Sequence, residues 1–405
     1  MSIADSFVAL KSRNYKYFFT GQLISLCGTW MQQLALSWLT YRLTGSPALM
    51  GLAMFLTQAP SLFLSPFAGA RADKVDKRKG VIIIQAAFLL QTGALALLTL
   101  TGHINAPLIL GMALVQGLIT AYDFPFRQSL VPDMLDDRAH IPNAIALNSL
   151  VVNAARIIGP SLAGLIVAKF GEGWCFAFNS LSYVGALVAL LMMKIEPGTF
   201  GKMPAISRWA SIKSGFNYVG RHRSIRAVLS MLLVASFIGT SYITLLPILV
   251  SDTLHGTAQE MGFLMAMTGV GAIFSAIYLA FRRNINGLDY LIGIAVLIAG
   301  IAEAALAACG NLWIAFTIMP FIGLSLTFQM AGSNTFVQTT TDNEMRGRVM
   351  GIYALIWNGI SPFGNLLYGL SAEYIGVEWT IIYGGVVMVL SAAAYFLLYK
   401  KEAQL

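Results

Sequence analysis

Apolar stretches of about twenty residues or more recur along this chain at nearly even intervals, and that recurrence confines it to one kind of fold. They lie near 17–41, 48–70, 80–102, 107–127, 143–168, 174–194, 226–250, 259–281, 288–308, 312–337, 347–371 and 378–399. A helix needs roughly 20 apolar residues to cross a hydrocarbon core ~30 Å thick, so twelve spans with short loops use most of the 405 residues. Within lipid the backbone N–H and C=O groups must be satisfied inside the segment. That selects helices, because barrel strands would be shorter and would alternate in polarity. Charge agrees with this: 11% of the residues are Asp, Glu, Lys or Arg, against about 25% in soluble domains. The expected fold class is therefore an all-α membrane protein with twelve transmembrane helices.

The net charge of +8 raises the question of a nucleic-acid partner, and the placement of the charges answers it. With both termini cytoplasmic, only Arg42 and Lys169 of the 26 Lys and Arg fall outside, and Arg156 falls within a span. The others collect on the inner side, as the positive-inside rule requires, and a reversed topology would violate it. The basic charge is an orientation signal, and no nucleic acid is expected. Cys27, Cys175 and Cys309 are odd in number and widely spaced, so they read as small apolar residues and not as a disulfide framework or metal site. The first apolar run is too long for a signal-peptide core and lacks a small-residue cleavage site after it.

Landmarks of the first half return in the second. Ser25-Leu26-Cys27-Gly28-Thr29 reappears as Ser236-Phe237-Ile238-Gly239-Thr240, Met50-Gly51 as Met261-Gly262, and Gln128 and Arg138 as Gln338 and Arg348. The offset is about 210 residues throughout, as expected for a parallel-repeat carrier with a substrate site between its halves. The domains expected are a six-helix bundle over 1–196, a cytoplasmic linker over 197–225 and a second six-helix bundle over 226–405. In the linker, Trp209, Ile212, Phe216 and Val219 fall at helical spacing beside Lys213 and Arg221, which predicts an amphipathic helix on the inner membrane surface.

The loop after the second span reads Gly69-Ala70-Arg71-Ala72-Asp73-Lys74-Val75-Asp76-Lys77-Arg78-Lys79. Gly69 permits close helix approach, Asp73 can receive a helix N-terminus or a basic partner, and the cations can meet carboxylates or anionic headgroups. The run resembles the signature loop of the major facilitator superfamily, Gly-x-x-x-Asp-Arg-x-Gly-Arg-Arg, with Gly69, Asp73, Lys74, Lys77 and Arg78 at matching positions and Asp76 in place of a Gly. The resemblance implies two pseudo-symmetric bundles and a conformational latch at this loop. It extends through Asn14-Tyr15-Lys16-Tyr17-Phe18, Gly21-Gln22 and Leu43-Thr44-Gly45-Ser46-Pro47, which look like the enterobactin-exporter-like, drug–proton antiporter branch. Gly159, Pro160 and Gly164 in span 5 are similar to the motif of antiporters and exporters, with a counterpart at Gly359-Ile360-Ser361-Pro362-Phe363-Gly364. Gln116-Gly117 matches part of the family pattern in span 4, but Ala113 stands where that pattern has Arg, so no proton-transfer role is carried over from it.

Polar residues inside spans mark candidate function, because burying them in lipid is costly. Arg156 near the middle of span 5 either caps helix-end carbonyls or lines the path, binding an anionic group or tuning a nearby carboxylate. Asp123 either pairs with Arg127 or the 74–79 loop, or carries a proton. Glu303 is expected at the rim of span 9. The resemblance implies that spans 1, 4, 7 and 10 line the cavity, which makes Trp30, Gln32, Gln33, Gln116, Tyr242, Gln329 and Asn334 path candidates beside Arg156 and Asp123. Ordinary helix–helix hydrogen bonding is the alternative for each of them.

Neutral amides, hydroxyls and aromatics suit an amphipathic organic molecule better than a bare ion. The function expected is alternating-access, proton-coupled efflux of a drug or siderophore from a plasma-membrane monomer, with no cofactor and no metal. Uptake or uniport of a metabolite or metal chelate is the alternative. A membrane-embedded enzyme lacks support, because His103, His140, His222 and His255 fall in loops without metal-ligand spacing.

Overall fold

The computed structural model describes residues 3–72, 74–194, 208–282 and 284–402. Asp73, Arg283 and the linker over 195–207 lie outside the described residues. Among the described residues the regular elements are all helical. The α-helices are α1 Arg13–Thr44, α2 Pro47–Ala72, α3 Lys77–Leu100, α4 Ala106–Leu130, α5 Ile141–Phe170, α6 Glu172–Met192, α7 Arg208–Arg221, α8 Arg223–Val234, α9 Tyr242–Ile248, α10 Ala258–Phe281, α11 Leu288–Ala308, α12 Leu312–Thr340, α13 Asn343–Ala354, α14 Ser361–Ile375 and α15 Val377–Glu402.

Local chemistry sets the helix ends. Asp76 caps α3 by accepting from Lys79 N at 3.1 Å, and Asn105 and Asn311 cap α4 and α12 in the same way. Asp76 holds φ at −60°, so this turn has no need of the Gly that the superfamily pattern places there. The connections from α5 to α6 and from α14 to α15 are near copies of each other. Gly171 sits at φ 86°, ψ 170° and Gly376 at φ 85°, ψ 159°, a region open to Gly and strained for other residues.

Among the described residues, ten helical stretches are long and apolar enough to cross a membrane, against the twelve expected. The two expected spans that fall short are α1 and the path Asn343–Ile375. The reason is polarity in both: α1 carries Gln22, Gln32 and Gln33, while the later path carries Arg346, Arg348, Asn358 and Asn365. The outward faces remain apolar, with Ile83, Leu90, Phe281 and Leu397 all highly exposed, as expected where lipid is the solvent.

Two compact units result. The first contains Met1–Thr44, Leu56–Lys202 and Thr257–Ala266, and the second contains Gly45–Phe55, Met203–Gly256 and Met267–Leu405. The opening turns of α2 thus belong to the second unit and those of α10 to the first. Small residues make both assignments: a Cβ on Gly51 would lie 2.8 Å from Asn365 O and 2.9 Å from Gly369 Cα, and one on Gly164 would lie 2.7 Å from Ala258 O. In the first unit α1 packs on α5 and α6, and α3 on α4 and α6, around Tyr15, Phe88, Phe126 and Tyr183. In the second unit α11 packs on α12 and α15 around Leu232, Ile292, Val296 and Phe328. There α7 lies against α13: Arg348 donates to Ser214 Oγ at 3.0 Å, Tyr218 to Asp342 at 2.9 Å, and Val219 joins the core while Phe216 stays exposed.

Candidate functional site

The most connected polar group in the first unit is Gln32 on α1. Its Nε2 donates to Gln116 Oε1 on α4 at 3.0 Å, and its Oε1 accepts from Thr92 on α3 at 3.1 Å and from Asn179 on α6. Gln91 extends the cluster to Met112 O at 3.2 Å, and Ser182 braces Asn179. Gln32 is 1% exposed, so one amide ties four helices together with both ends engaged. Gly28, one turn earlier, makes room for this, since a Cβ there would strike Asn179. Thr29 Oγ1 donates back to Ser25 O at 2.9 Å, and Thr240 repeats the bond to Ser236 O at 2.8 Å, so the repeated pentapeptide repeats its hydrogen bonding as well.

Asp123 on α4 is held on both oxygens: Arg127, one turn on, donates to Oδ2 and Gln85 of α3 donates to Oδ1 at 3.1 Å. Beside it lies a cavity of about 20 Å³ lined by Gln22, Ser25, Gln85 and Arg127, with Phe18 and Val81 among its apolar walls. Gln22 Nε2 donates to Asn148 Oδ1 at 2.7 Å, while Gln22 Oε1 and Gln85 Oε1 are buried acceptors without a partner among the described residues. Space of this size and convergent polar groups of this kind suit a single water.

Arg156 on α5 is half-buried, with its guanidinium 5.4 Å from the centre of the Trp30 ring on α1, a cation–π arrangement. Gln33, also on α1, is half-buried. The α5 motif does packing work around this pair. A Cβ on Gly159 would lie 2.6 Å from Trp30 Cβ and 2.8 Å from Cys27 O, so Gly159 lets α5 press against α1, and Gly164 admits α10. Pro160 between them is buried within the helix.

In the loop, Lys77 Nζ meets Asp133 at 2.8 Å. Arg78 donates to Leu190 O and Leu191 O, both at 2.9 Å, among the terminal carbonyls of α6, where Leu190 O also accepts from Met193 N. Lys74 is exposed, and Asp73 lies outside the described residues. Among the described residues, a Cβ on Gly69 would meet Pro125 alone, at 4.0 Å.

In the second unit, Tyr242 is 1% exposed, Gln329 is fully buried with Nε2 donating to Ser333 at 3.3 Å, and Asn334 is half-buried. The helices here are interrupted by π-helical segments, Ala235–Gly239, Leu249–Thr253 and Leu355–Ile360. Such segments break the regular ladder and gather at functional sites. Glu303 is the clearest departure from the sequence reading. It is 0% exposed and not at the rim: α15 packs closely on the same helix, where a Cβ on Gly385 would strike Gly300 O and lie 3.0 Å from Ala304 Cβ. Periodicity alone gave no sign of this, since burial depends on which helix arrives opposite.

Residues 4–404 match the family described as transmembrane secretion effector. Among curated proteins, the Staphyloferrin A transporter of Staphylococcus aureus is 27% identical over 388 residues, covering 95% of this chain and 96% of that one. Macrolide efflux protein A of Streptococcus pyogenes is 21% identical, covering 93% and 95%. Among solved structures, a POT family transporter in complex with 5-aminolevulinic acid superposes with a TM-score of 0.75 at 12% identity, covering 96% of each chain. The nucleoside transporter NupG superposes with a TM-score of 0.69 at 15% identity, covering 96% of this chain and 99% of that one.

Proposed function

The chain belongs to the transmembrane secretion effector family of major facilitator transporters, and from that premise we propose that it exports a small amphipathic organic molecule, a siderophore or drug, by proton-coupled alternating access. It is a multi-pass transporter of the plasma membrane and not an enzyme. In this reading α1 and the path Asn343–Ile375 complete twelve spans in two bundles, 1–196 and 226–405, joined by a cytoplasmic linker, with both termini cytoplasmic. The protein works as a monomer.

The observation that carries the proposal is the Arg156–Trp30 pair, a cation stacked on an aromatic face inside an apolar unit, 5.4 Å apart. Such a pair meets both needs of an amphipathic cargo: a charge for an anionic group and a flat apolar surface for its body. The full-length similarity to the Staphyloferrin A transporter and to macrolide efflux protein A supports the same cargo class. Gln33, Gln116, Tyr242, Gln329 and Asn334 complete the path, and Gln32 serves as the strut that orients Gln116. Asp123 is the proton carrier of the first unit, opposed by Arg127 and served by the water-sized cavity. Gly69, Asp73, Lys74, Lys77 and Arg78 form the latch, in which Lys77 and Arg78 tie the loop to Asp133 and to the end of α6.

The test is transport in proteoliposomes under an imposed pH gradient, with staphyloferrin A and a macrolide as cargoes. Cargo should move against an opposing flow of protons, and Arg156→Ala should abolish movement without loss of folded protein. Flux indifferent to the gradient would remove proton coupling and leave the carrier. An Arg156→Ala protein that transports normally would contradict the assigned path.

A further inference from the structure

Glu303 is a carboxyl group with nothing to stabilise a charge. It is 0% exposed, and among the described residues neither Oε1 nor Oε2 has a hydrogen-bond partner. Its own helix surrounds it with Ala299, Ala302, Leu306 and Ala307, all buried. An ionised carboxylate only accepts hydrogen bonds, so burying one without donors is among the costliest arrangements a protein can make.

The neighbouring elements supply no compensating cation. The sequence of α12 contains no ionisable residue. On α8 the only cations, Arg223 and Arg226, lie in its first turn, and the π segment Ala235–Gly239 that follows has none. On α15, Glu378 is engaged by Thr253 at 2.7 Å, Tyr383 is exposed, and Tyr395 donates to Asp289 O near the opposite end of α11. Lys400, Lys401 and Glu402 lie in the last turn of α15, and Asp289 in the first turn of α11. On α14, Glu373 is engaged by Ser46 and by the N–H of Ala48, and Tyr374 is exposed.

Among the described residues a buried tyrosine lies nearby. Tyr368 of α14 lies within electrostatic reach of Glu303, and its buried hydroxyl also lacks a partner among the described residues. The glycine pair of α15 brings the two together: the Tyr368 hydroxyl occupies the space a Cβ of Gly384 would take, and a Cβ on Gly385 would lie 3.0 Å from Ala304. Tyr368 rides on a helix whose start is interrupted. The π segment Leu355–Ile360 comes immediately before α14, Pro362 stands in its first turn, and Gly364 lies against the carbonyl of Phe237 in the π segment Ala235–Gly239. Two interrupted helices in contact make a joint at which Tyr368 can move relative to Glu303.

We propose that Glu303, with Tyr368 as its positioning residue, is a proton-binding site of the second unit: it holds a proton in the conformation described here and releases it when α14 shifts at its π segment. In release, the carboxyl O–H bond breaks, the proton passes to an entering water and the carboxylate keeps the electron pair; uptake is the reverse. The link to cargo movement rests on the carrier reading given above, whereas proton occupancy does not.

Two measurements on the full-length protein separate these claims. Infrared spectroscopy of wild type at neutral pH should show a carboxylic-acid carbonyl band that disappears in Glu303→Gln and shifts in Tyr368→Phe. A difference spectrum lacking that band would overturn proton occupancy. In proteoliposomes, Glu303→Gln should lower pH-gradient-driven transport by at least about tenfold while cargo exchange at equal pH stays within about twofold of wild type. Gradient-driven transport equal to wild type would overturn the coupling role. Absence of cargo exchange in wild type would instead count against the carrier reading and leave the infrared result standing. Gln is a neutral isostere of the protonated acid, and if it fails to fold the Tyr368→Phe band shift decides, an unshifted band overturning the pairing.

Discussion

The two units treat their interior polar atoms in opposite ways. In the first, Gln32, Gln116, Thr92, Gln91, Asn179 and Ser182 bind one another, and Asp123 is held by Arg127 and Gln85. Exceptions there include Gln22 Oε1 and Gln85 Oε1, which share a cavity of about 20 Å³ suited to a water, and His140 Nδ1. In the second, Thr244, Ser275, Ser325, Tyr368, the Gln329 carbonyl and both Glu303 oxygens are buried without hydrogen-bond partners among the described residues. The π segments Ala235–Gly239, Leu249–Thr253 and Leu355–Ile360 also fall in the second unit. A satisfied network fixes one arrangement, while unsatisfied groups, at about 1–3 kcal/mol each, leave other arrangements within reach. The difference teaches that a repeated sequence need not give repeated rigidity: the first unit is built to hold, the second to change.

The largest expected effect tests what the units share. Gly164→Val and Gly51→Val each drive a Cβ against backbone, at 2.7 Å from Ala258 O and 2.8 Å from Asn365 O. Each should cost about 3 kcal/mol, read as a lower midpoint in thermal unfolding. A loss at one site only would break the equivalence of these two contacts. Next comes the contrast between amides. Gln32→Leu strands Gln116, Thr92 and Asn179 and should cost about 2–3 kcal/mol, whereas Gln329→Leu gives up one long bond within α12 and should cost under about 1 kcal/mol. Equal losses in the same unfolding assay would remove the distinction between the units. Arg78→Ala should cost about 1 kcal/mol by uncovering the last carbonyls of α6, and Arg78→Lys should restore little of it, since an ammonium cannot span both. The smallest effect is Ser325→Ala, expected to be neutral or stabilising by less than about 1 kcal/mol because the hydroxyl it removes has no partner.

Much of this architecture was legible in the sequence because hydropathy, charge and repeat spacing are properties of the chain itself. The helix at Arg208–Arg221 followed from the spacing of Trp209, Ile212, Phe216 and Val219, and the pairing of Asp123 with Arg127 from their i, i+4 separation. What stayed hidden depends on the element arriving opposite. Gln32 looks like any span amide until α3, α4 and α6 converge on it, and Glu303 looks like a rim residue until neighbouring helices pack around α11. The π segments left no periodicity of their own. The capping role of Asp76 had a signal, an acid just before a helical run, but the superfamily pattern drew attention to the missing Gly instead.

Hydrogen–deuterium exchange of the backbone amides tests the contrast most directly. The amides of Ala235–Gly239, Leu249–Thr253 and Leu355–Ile360 should exchange markedly faster than those of α1 and α3 around Gln32 and Thr92. Protection that is equal in the two sets, or greater at the π segments, would contradict the account of a fixed first unit and a changeable second one.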